Sequence, residues 1–154
     1  MSSTAEEVVT PLVKEFVNSY KDLPVAVYQI QDKFRNEPRA KSGLLRGREF
    51  SMKDLYSFHA DEADFLDFYE KAKVAYLNVY TRCGLDAVVT AASGGVFTEK
   101  HSHEFQVATD AGEDHIYIDR ASGEVMNREI IPEEDWKNEE KYEIKKSIEV
   151  GNIF

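Results

Sequence analysis

Side chains that could bind a nucleotide are gathered between positions 35 and 50. Five Arg or Lys residues lie from Arg35 to Arg48, in a chain whose formal net charge is -10. Arginine binds phosphate oxygens as a fork, and a glutamate such as Glu37 can accept hydrogen bonds from an exocyclic amine. An aromatic ring such as Phe50 can stack on a base. Because the acidic chain offers no bulk attraction to phosphate, any phosphate ligand is expected at this local cluster.

The spacing of these residues predicts which of them share a face. Residues i and i+2 of a β-strand project to the same side. This places Arg35 with Glu37 at the end of a first strand. It places a second set together on the returning strand: Arg46, Arg48, Phe50 and Met52. The alternative is a salt-bridged, solvated hairpin with Phe50 in the core, and the residues taken alone favour it.

The segment before the cluster is predicted to be a helix over residues 4–20. Apolar residues recur there at helical spacing. Thr4 followed by Glu7 has the form of a capping box, in which a hydroxyl and a carboxylate satisfy free backbone N–H groups. Pro11 removes a helix hydrogen bond, so it either kinks this helix or starts a new one.

The cluster itself is predicted to lie on a β-hairpin. Residues 25–34 are rich in β-branched and aromatic side chains and are typical of a strand. Residues 36–43 contain Pro38 and Gly43, which indicates a loop. Residues 44–58 then predict the second strand of an antiparallel pair with a long tip.

The remaining elements complete a mixed fold. A helix is predicted over residues 61–82, with acidic residues at its start and Arg82 at its end, as the helix dipole favours. Strands are predicted over residues 86–92, 104–109, 114–120 and 148–154. Residues 132–147 are polar and indicate either a solvated helix or an extended connector. Together these predict an α+β fold, an antiparallel β-sheet with flanking helices.

Composition limits the class of protein. A chain of 154 residues is enough for one domain with one core. The acidic balance argues against nucleic-acid or anionic-membrane binding through bulk charge. The single cysteine, Cys83, excludes a disulfide within the chain and favours a cytoplasmic location. We expect no secretory signal, no membrane span and no metal site, although His101, His103 and Glu104 are close in sequence.

Several stretches resemble one family. "FRNE" at residues 34–37 and "GLLRGREFSMKDLYSFH" at residues 43–59 resemble motif 2 of the class II aminoacyl-tRNA synthetases, and specifically of the bacterial-type prolyl-tRNA synthetases. "YTRCGLD" at 80–86, "SHEF" at 102–105 and "GED" at 112–114 agree in order. The resemblance covers nearly the whole chain, residues 1–154. It implies a partial class II catalytic core, with the motif 2 hairpin at about 25–58 and an acidic connector at about 121–147.

The resemblance implies an activity and its nucleotide site. The family activates proline with ATP, releases pyrophosphate and transfers the prolyl group to its tRNA. Mg²⁺ accompanies ATP, and the chain alone is expected to hold no metal. Arg35 is implied as the catalytic residue that binds the α-phosphate and stabilises the growing charge there. The other implied ATP-binding residues are Glu37 for the adenine amino group, Arg46 and Arg48, of which one serves the triphosphate, and Phe50, which stacks on adenine.

A proline site is implied as well. Thr4 and Glu6 match a Thr-x-Glu pair that holds the amino group of proline, although Ser3 stands where the family often has a proline. The other implied proline-binding residues are Met52, Asp54 and Tyr56 around the pocket, and Ser102, His103 and Phe105 on its far side. Proline's secondary amine is charged at neutral pH, so an acid such as Glu6 is a suitable partner.

The comparison with the family also predicts what this segment lacks. Motif 1 would lie before residue 1, motif 3 and the anticodon-binding domain after residue 154, and no editing insertion is expected. We therefore expect a fragment with little or no synthetase activity alone. The parent enzyme is expected to be a homodimer, and bare strand edges in the fragment predict self-association through contacts foreign to the family. The alternative is a stand-alone, non-catalytic relative that binds proline or adenylate.

Overall fold

Two compact units make up the chain. The computed structural model describes residues 3–40, 43–95, 98 and 100–154. Unit 1 is Met1–Phe68 and unit 2 is Tyr69–Phe154, so the boundary falls inside a helix. Within the described ranges, no helix has the length and apolar character needed to cross a bilayer.

Unit 1 begins with helix α1 (Glu6–Phe16), which is shorter than the predicted 4–20. Its N-cap is Ala5, which offers no side-chain hydrogen bond, so the predicted capping box at Thr4 is wrong. The Thr4 hydroxyl donates to the neighbouring Glu6 carboxylate instead. The helix continues through Pro11, so no new helix starts there. A capping box does form further on, where Ser19 and Asp22 close a 3-10 turn.

A long antiparallel hairpin follows, as predicted. Strand β1 (Val25–Phe34) pairs with β2 (Glu49–Phe58) in a register that joins Val25 to Phe58 and Phe34 to Glu49. The second strand starts at Glu49 rather than at residue 44, because residues 43–45 form a turn with Gly43 at a positive φ of 63°. The prediction that Arg46 and Arg48 lie on this strand is therefore wrong. Arg35 and Glu37 likewise lie beyond the end of β1, where strand alternation no longer applies.

Helix α2 (Glu62–Arg82) matches its prediction, and the unit boundary divides it. In unit 2 a closed barrel follows, with strands in the order β3-β4-β7-β5-β6. The strands are β3 (Ala87–Ala91), β4 (His103–Ala108), β5 (Asp114–Asp119), β6 (Val125–Asn127) and β7 (Tyr142–Ile153). Predicted strands at 86–92, 104–109 and 114–120 are thus confirmed to within a residue. Strand β6 was not predicted, and its parallel pairing with β3 closes the barrel.

The acidic segment at 121–147 is more structured than its composition indicates. It contains β6, two short 3-10 turns (Arg128–Ile130 and Glu133–Asp135) and the first half of β7. The solvated-helix alternative is wrong here, because β7 starts at Tyr142 and pairs with both β4 and β5. Tyr142 is buried, and its ring meets the Tyr117 ring edge-on at 5.6 Å.

Phe105 is the centre of the packing between α2 and the barrel. Its side chain is 0% exposed and its ring lies 5.0 Å from the Tyr76 ring and 5.4 Å from the Tyr80 ring. Tyr80 also donates a hydrogen bond to the Val150 carbonyl at 2.9 Å. A Cβ at Gly151 would lie 2.1 Å from the Tyr80 hydroxyl, so only glycine allows this close approach.

We predict that Phe105→Ala destabilises unit 2 by about 3–5 kcal/mol, because the substitution removes a fully buried ring and leaves a cavity. The single tryptophan, Trp136, lies in unit 2, so its fluorescence during urea unfolding reports on this unit. Phe16→Ala is the matched control, because Phe16 is 73% exposed and the same truncation should change stability little. Equal unfolding midpoints for the two variants would contradict the packing described.

Candidate functional site

Arg35 lies beside Phe50. Its guanidinium carbon is 5.4 Å from the centroid of the Phe50 ring, and Nη2 is 4.0 Å from the sulfur of Met52. Nε donates to the Ser3 carbonyl at 3.1 Å. The Arg35 amide donates to the Arg48 carbonyl at 2.9 Å, which extends the hairpin ladder by one hydrogen bond. The cation is therefore held at the loop end of the hairpin, against an aromatic ring.

Glu37 lies in the same loop and is held by two arginines. Arg48 Nε donates to the Glu37 carbonyl at 3.0 Å. The Glu37 carboxylate accepts from the Arg39 amide at 2.7 Å, and Arg39 Nε is 3.9 Å from the same oxygen. Arg39 was not predicted from the sequence to be part of the site. It could have been, because an acidic side chain in a loop often accepts a hydrogen bond from the backbone amide two residues later, as Glu37 does from Arg39. Arg46 lies in the loop before Arg48 and is half-buried.

Glu6 is surrounded by hydroxyl donors. Thr4 donates to one carboxylate oxygen, and the Tyr56 hydroxyl lies 3.4 Å from the other. Burial raises the pKa of Glu6, but hydrogen bonds from Thr4, its own amide and Tyr56 outweigh this and hold the pKa below its usual value. Burial, followed by the charges of Asp54 and Glu6, raises the pKa of Tyr56 to about 12. The structure thus joins three predicted proline-binding residues, Thr4, Glu6 and Tyr56, into one hydrogen-bonded group around the Glu6 carboxylate.

Asp54 is bound to two residues that sequence reasoning missed. Lys33 is 0% exposed, and its Nζ lies 2.8 Å from Asp54 Oδ2. Gln29 Nε2 donates to the same oxygen at 3.0 Å. A buried ammonium without a counter-charge is costly, so this pair fixes both side chains. The sequence does indicate that Lys33 faces inward, because Lys33 continues the alternation of Val25 and Val27 on the inner face of β1.

The "SHEF" residues belong to unit 2 and are described within it. Phe105 is fully buried against Tyr76 and Tyr80, as described above. Ser102 lines an open cavity of about 270 Å³. His103 Nδ1 lies 2.8 Å from the hydroxyl oxygen of Tyr69, a residue that was not predicted. In the part of the chain that the structure describes, no group of three or more His, Cys, Asp or Glu residues could hold a metal ion.

Comparison with known proteins gives a consistent result. Residues 1–154 match the tRNA synthetase class II core domain (G, H, P, S and T). Over 132 residues the chain is 47% identical to proteins named proline–tRNA ligase from Bacillus cereus strain B4264 and Bacillus anthracis strain A0248. The same identity is found with a protein named proline–tRNA ligase 1 from another strain of Bacillus cereus.

The aligned region covers 86% of this chain but 23% of each relative, so the chain spans about a quarter of the length of the curated relatives that it matches. The observed mixture of antiparallel strands and helices confirms the predicted α+β class. The family match extends over every residue. The chain therefore belongs to the family of class II tRNA synthetase core domains.

Proposed function

We propose that this chain carries the motif 2 part of the amino-acid activation site of a proline–tRNA ligase. The whole enzyme would join proline to ATP as prolyl-adenylate, release pyrophosphate and transfer the prolyl group to its tRNA. Two findings support this: the 47% identity to proteins of that name, and the contact of Arg35 with Phe50 beside Glu37. The contact carries the proposal, because it brings a phosphate-binding cation and a base-stacking ring together.

Arg35 is the proposed catalytic residue. Activation is an in-line attack of the proline carboxylate on the α-phosphorus of ATP, and it needs positioning and charge stabilisation more than a proton-transfer base. A guanidinium fixed at the end of a strand provides both. Phe50 would stack on adenine, and the Glu37 carboxylate would accept a hydrogen bond from the adenine amino group. Either Arg46 or Arg48 would bind the triphosphate, and Mg²⁺ would enter with ATP as part of the substrate.

Thr4 and Glu6 are the proposed partners of the proline amine. The lowered pKa keeps the Glu6 carboxylate ionised at neutral pH, where the secondary ammonium carries a positive charge. Tyr56 holds the carboxylate from the other side. Met52 and Asp54 of unit 1 are further proposed contacts to proline. In unit 2, Ser102 and His103 are proposed as proline-binding residues, whereas Phe105 is fully buried and reaches no ligand.

We predict that Arg35→Ala weakens ATP binding roughly 10- to 100-fold, because a charge-assisted hydrogen bond contributes about 1.5–3 kcal/mol. Isothermal titration calorimetry with MgATP measures the effect. Arg82→Ala is the matched control, since Arg82 is an exposed arginine at the end of α2 and outside the proposed site. Unchanged ATP affinity in the folded Arg35→Ala variant would show that the site is assigned incorrectly.

A pyrophosphate exchange assay can exclude one of the two candidate functions. Proline-dependent exchange of pyrophosphate into ATP would exclude the alternative of a non-catalytic relative. Binding of both proline and ATP without exchange is expected of an inactive enzyme fragment and also of the alternative, in which the same residues serve as a ligand-sensing site.

We predict that Thr4→Ala raises the pKa of Glu6, because it removes the hydrogen bond that lowers this pKa most. Only the ionised carboxylate attracts the ammonium, so affinity for proline should decline as pH falls through the Glu6 pKa. The decline should start at a higher pH in the variant. Carboxyl-carbon NMR titration gives the pKa, and proline calorimetry gives the affinity. Thr10→Ala, at an exposed position of α1, should leave both unchanged; identical Glu6 titrations in all three proteins would refute the assignment.

We further propose that the chain associates with a second copy of itself through the outer face of the hairpin. Tyr28 and Ile30 on this face are 73% and 70% exposed, and Leu55 lies opposite Tyr28. Within the described residues, β1 and β2 pair only with each other, so each keeps an open edge. A homodimer, binding to tRNA and a cytoplasmic location are proposed for the whole enzyme.

Ile30→Lys should lower the average mass measured by light scattering at high concentration, because it places a charge on the apolar face. Val74→Lys is the control, since Val74 is also exposed (59%) but lies on α2. A monomeric mass for the unsubstituted chain at high concentration would remove the basis for this proposal.

A further inference from the structure

Tyr69 of α2 contacts two groups of the barrel at once. Its hydroxyl oxygen is 2.8 Å from His103 Nδ1 on β4 and 3.1 Å from the Ile153 carbonyl oxygen on β7. All three residues belong to unit 2. Tyr69 is 3% exposed, so water does not easily substitute for either partner.

The number of protons available indicates the direction of both hydrogen bonds. A tyrosine hydroxyl has one proton to donate, and a carbonyl oxygen can only accept. The proton between Tyr69 and Ile153 must therefore come from the hydroxyl. The contact between Tyr69 and His103 then needs its proton from the imidazole, so Nδ1 carries the hydrogen. In the neutral ring this leaves Nε2 with a lone pair.

We infer that Tyr69 is a positioning residue that holds His103 as the Nδ1–H tautomer, so that Nε2 is a hydrogen-bond acceptor. The inference uses the geometry of unit 2 alone, through the two contacts of the Tyr69 hydroxyl. Its consequence for a ligand rests on the proposed function, in which His103 contacts proline.

Charges around the pair support a neutral imidazole and a protonated phenol. Burial, and then the Glu70 charge, raise the pKa of Tyr69 to about 12, so the hydroxyl keeps its proton at neutral pH. Burial, and then the positive charge of Lys73, lower the pKa of His103. The other groups that act on His103 are Glu70, which raises its pKa, His101, which lowers it, and Glu124, which raises it. The neutral ring is therefore favoured at neutral pH.

The tautomer decides which part of proline His103 can contact. A bare Nε2 accepts a hydrogen bond from an N–H group and repels a carboxylate oxygen. In this state His103 would accept a hydrogen bond from the secondary ammonium of proline and would not bind its carboxylate. The opposite tautomer would reverse this preference, so Tyr69 sets the orientation in which proline is accepted.

The test is a long-range ¹⁵N–¹H NMR spectrum of the histidine-labelled chain at a pH above the His103 pKa. Four histidines are present, and a His103→Gln sample assigns the signals of His103. We expect the Nδ1 shift of a protonated nitrogen and the Nε2 shift of a bare nitrogen. A spectrum with the proton on Nε2 would overturn the inference.

Tyr69→Phe and Tyr80→Phe form a matched pair on the same helix. Each loses a hydroxyl that donates to a carbonyl of β7, but only Tyr69 also contacts a histidine. We expect Tyr69→Phe to move His103 to a mixture of tautomers and Tyr80→Phe to leave it as the Nδ1–H form. A fixed Nδ1–H tautomer in folded Tyr69→Phe would contradict a positioning role for the hydroxyl.

Addition of proline distinguishes this inference from the proposed function. If proline changes the His103 Nε2 signal in the unsubstituted chain but not in Tyr69→Phe, the result supports both the positioning role of Tyr69 and the proposed proline site. If the Nδ1–H tautomer is found but proline moves no His103 signal, the positioning role stands and His103 is not a proline-binding residue.

Discussion

The ion pair of Lys33 with Asp54 is the interaction on which the inner face of the hairpin depends. Lys33 is fully buried, and a buried ammonium is tolerated only beside a counter-charge and hydrogen-bonding groups. This fixes Asp54, which also accepts from Gln29. Asp54 in turn acts on Tyr56 through its charge, and Tyr56 hydrogen-bonds to Glu6. Hydrogen bonds, one ion pair and one charge effect thus link the middle of β1 to the start of α1.

A different constraint organises unit 2. Strand β7 pairs with β4 on one side and β5 on the other, so it is the strand that joins the two halves of the barrel. Small residues on and beside it allow close approach: a Cβ at Gly112 would lie 2.0 Å from the Ser147 carbonyl oxygen, and Gly151 receives the Tyr80 hydroxyl. Packing against α2 then follows from the position of Phe105 on β4, next to Gly151.

Local patterns in the sequence predicted the elements well where one face is apolar. Helix α2 was predicted because its apolar residues repeat with the helical period, and strand β1 because it is rich in β-branched and aromatic residues. The first half of β7 was missed because "YEIKKS" has charged residues on its solvent side, and its pairing with β5 is a long-range feature. Strand β6 has three residues and shows no period at all.

Recognition of the candidate site depended on residue types, whereas its contacts depended on the fold. Arg35, Glu37 and Phe50 stood out because cations, an acid and a ring occur together in an acidic chain. Tyr69 could not be found this way, because it forms part of an ordinary apolar helix stripe. Its importance comes from a hydroxyl that meets His103, thirty-four positions along the chain. Such a contact follows from tertiary packing and has no local sequence signal.

The order of the strands in the barrel has a consequence during synthesis on the ribosome. Strands β3 and β4 are adjacent and can pair as soon as both have emerged, but the other edge of β4 must wait for β7. At ordinary elongation rates this interval is on the order of seconds. During that time the β4 edge, with Phe105 on it, is an open template for pairing with other nascent chains. The polar composition of the segment between β5 and β7 then has a use, because it keeps the waiting chain hydrated until the barrel closes.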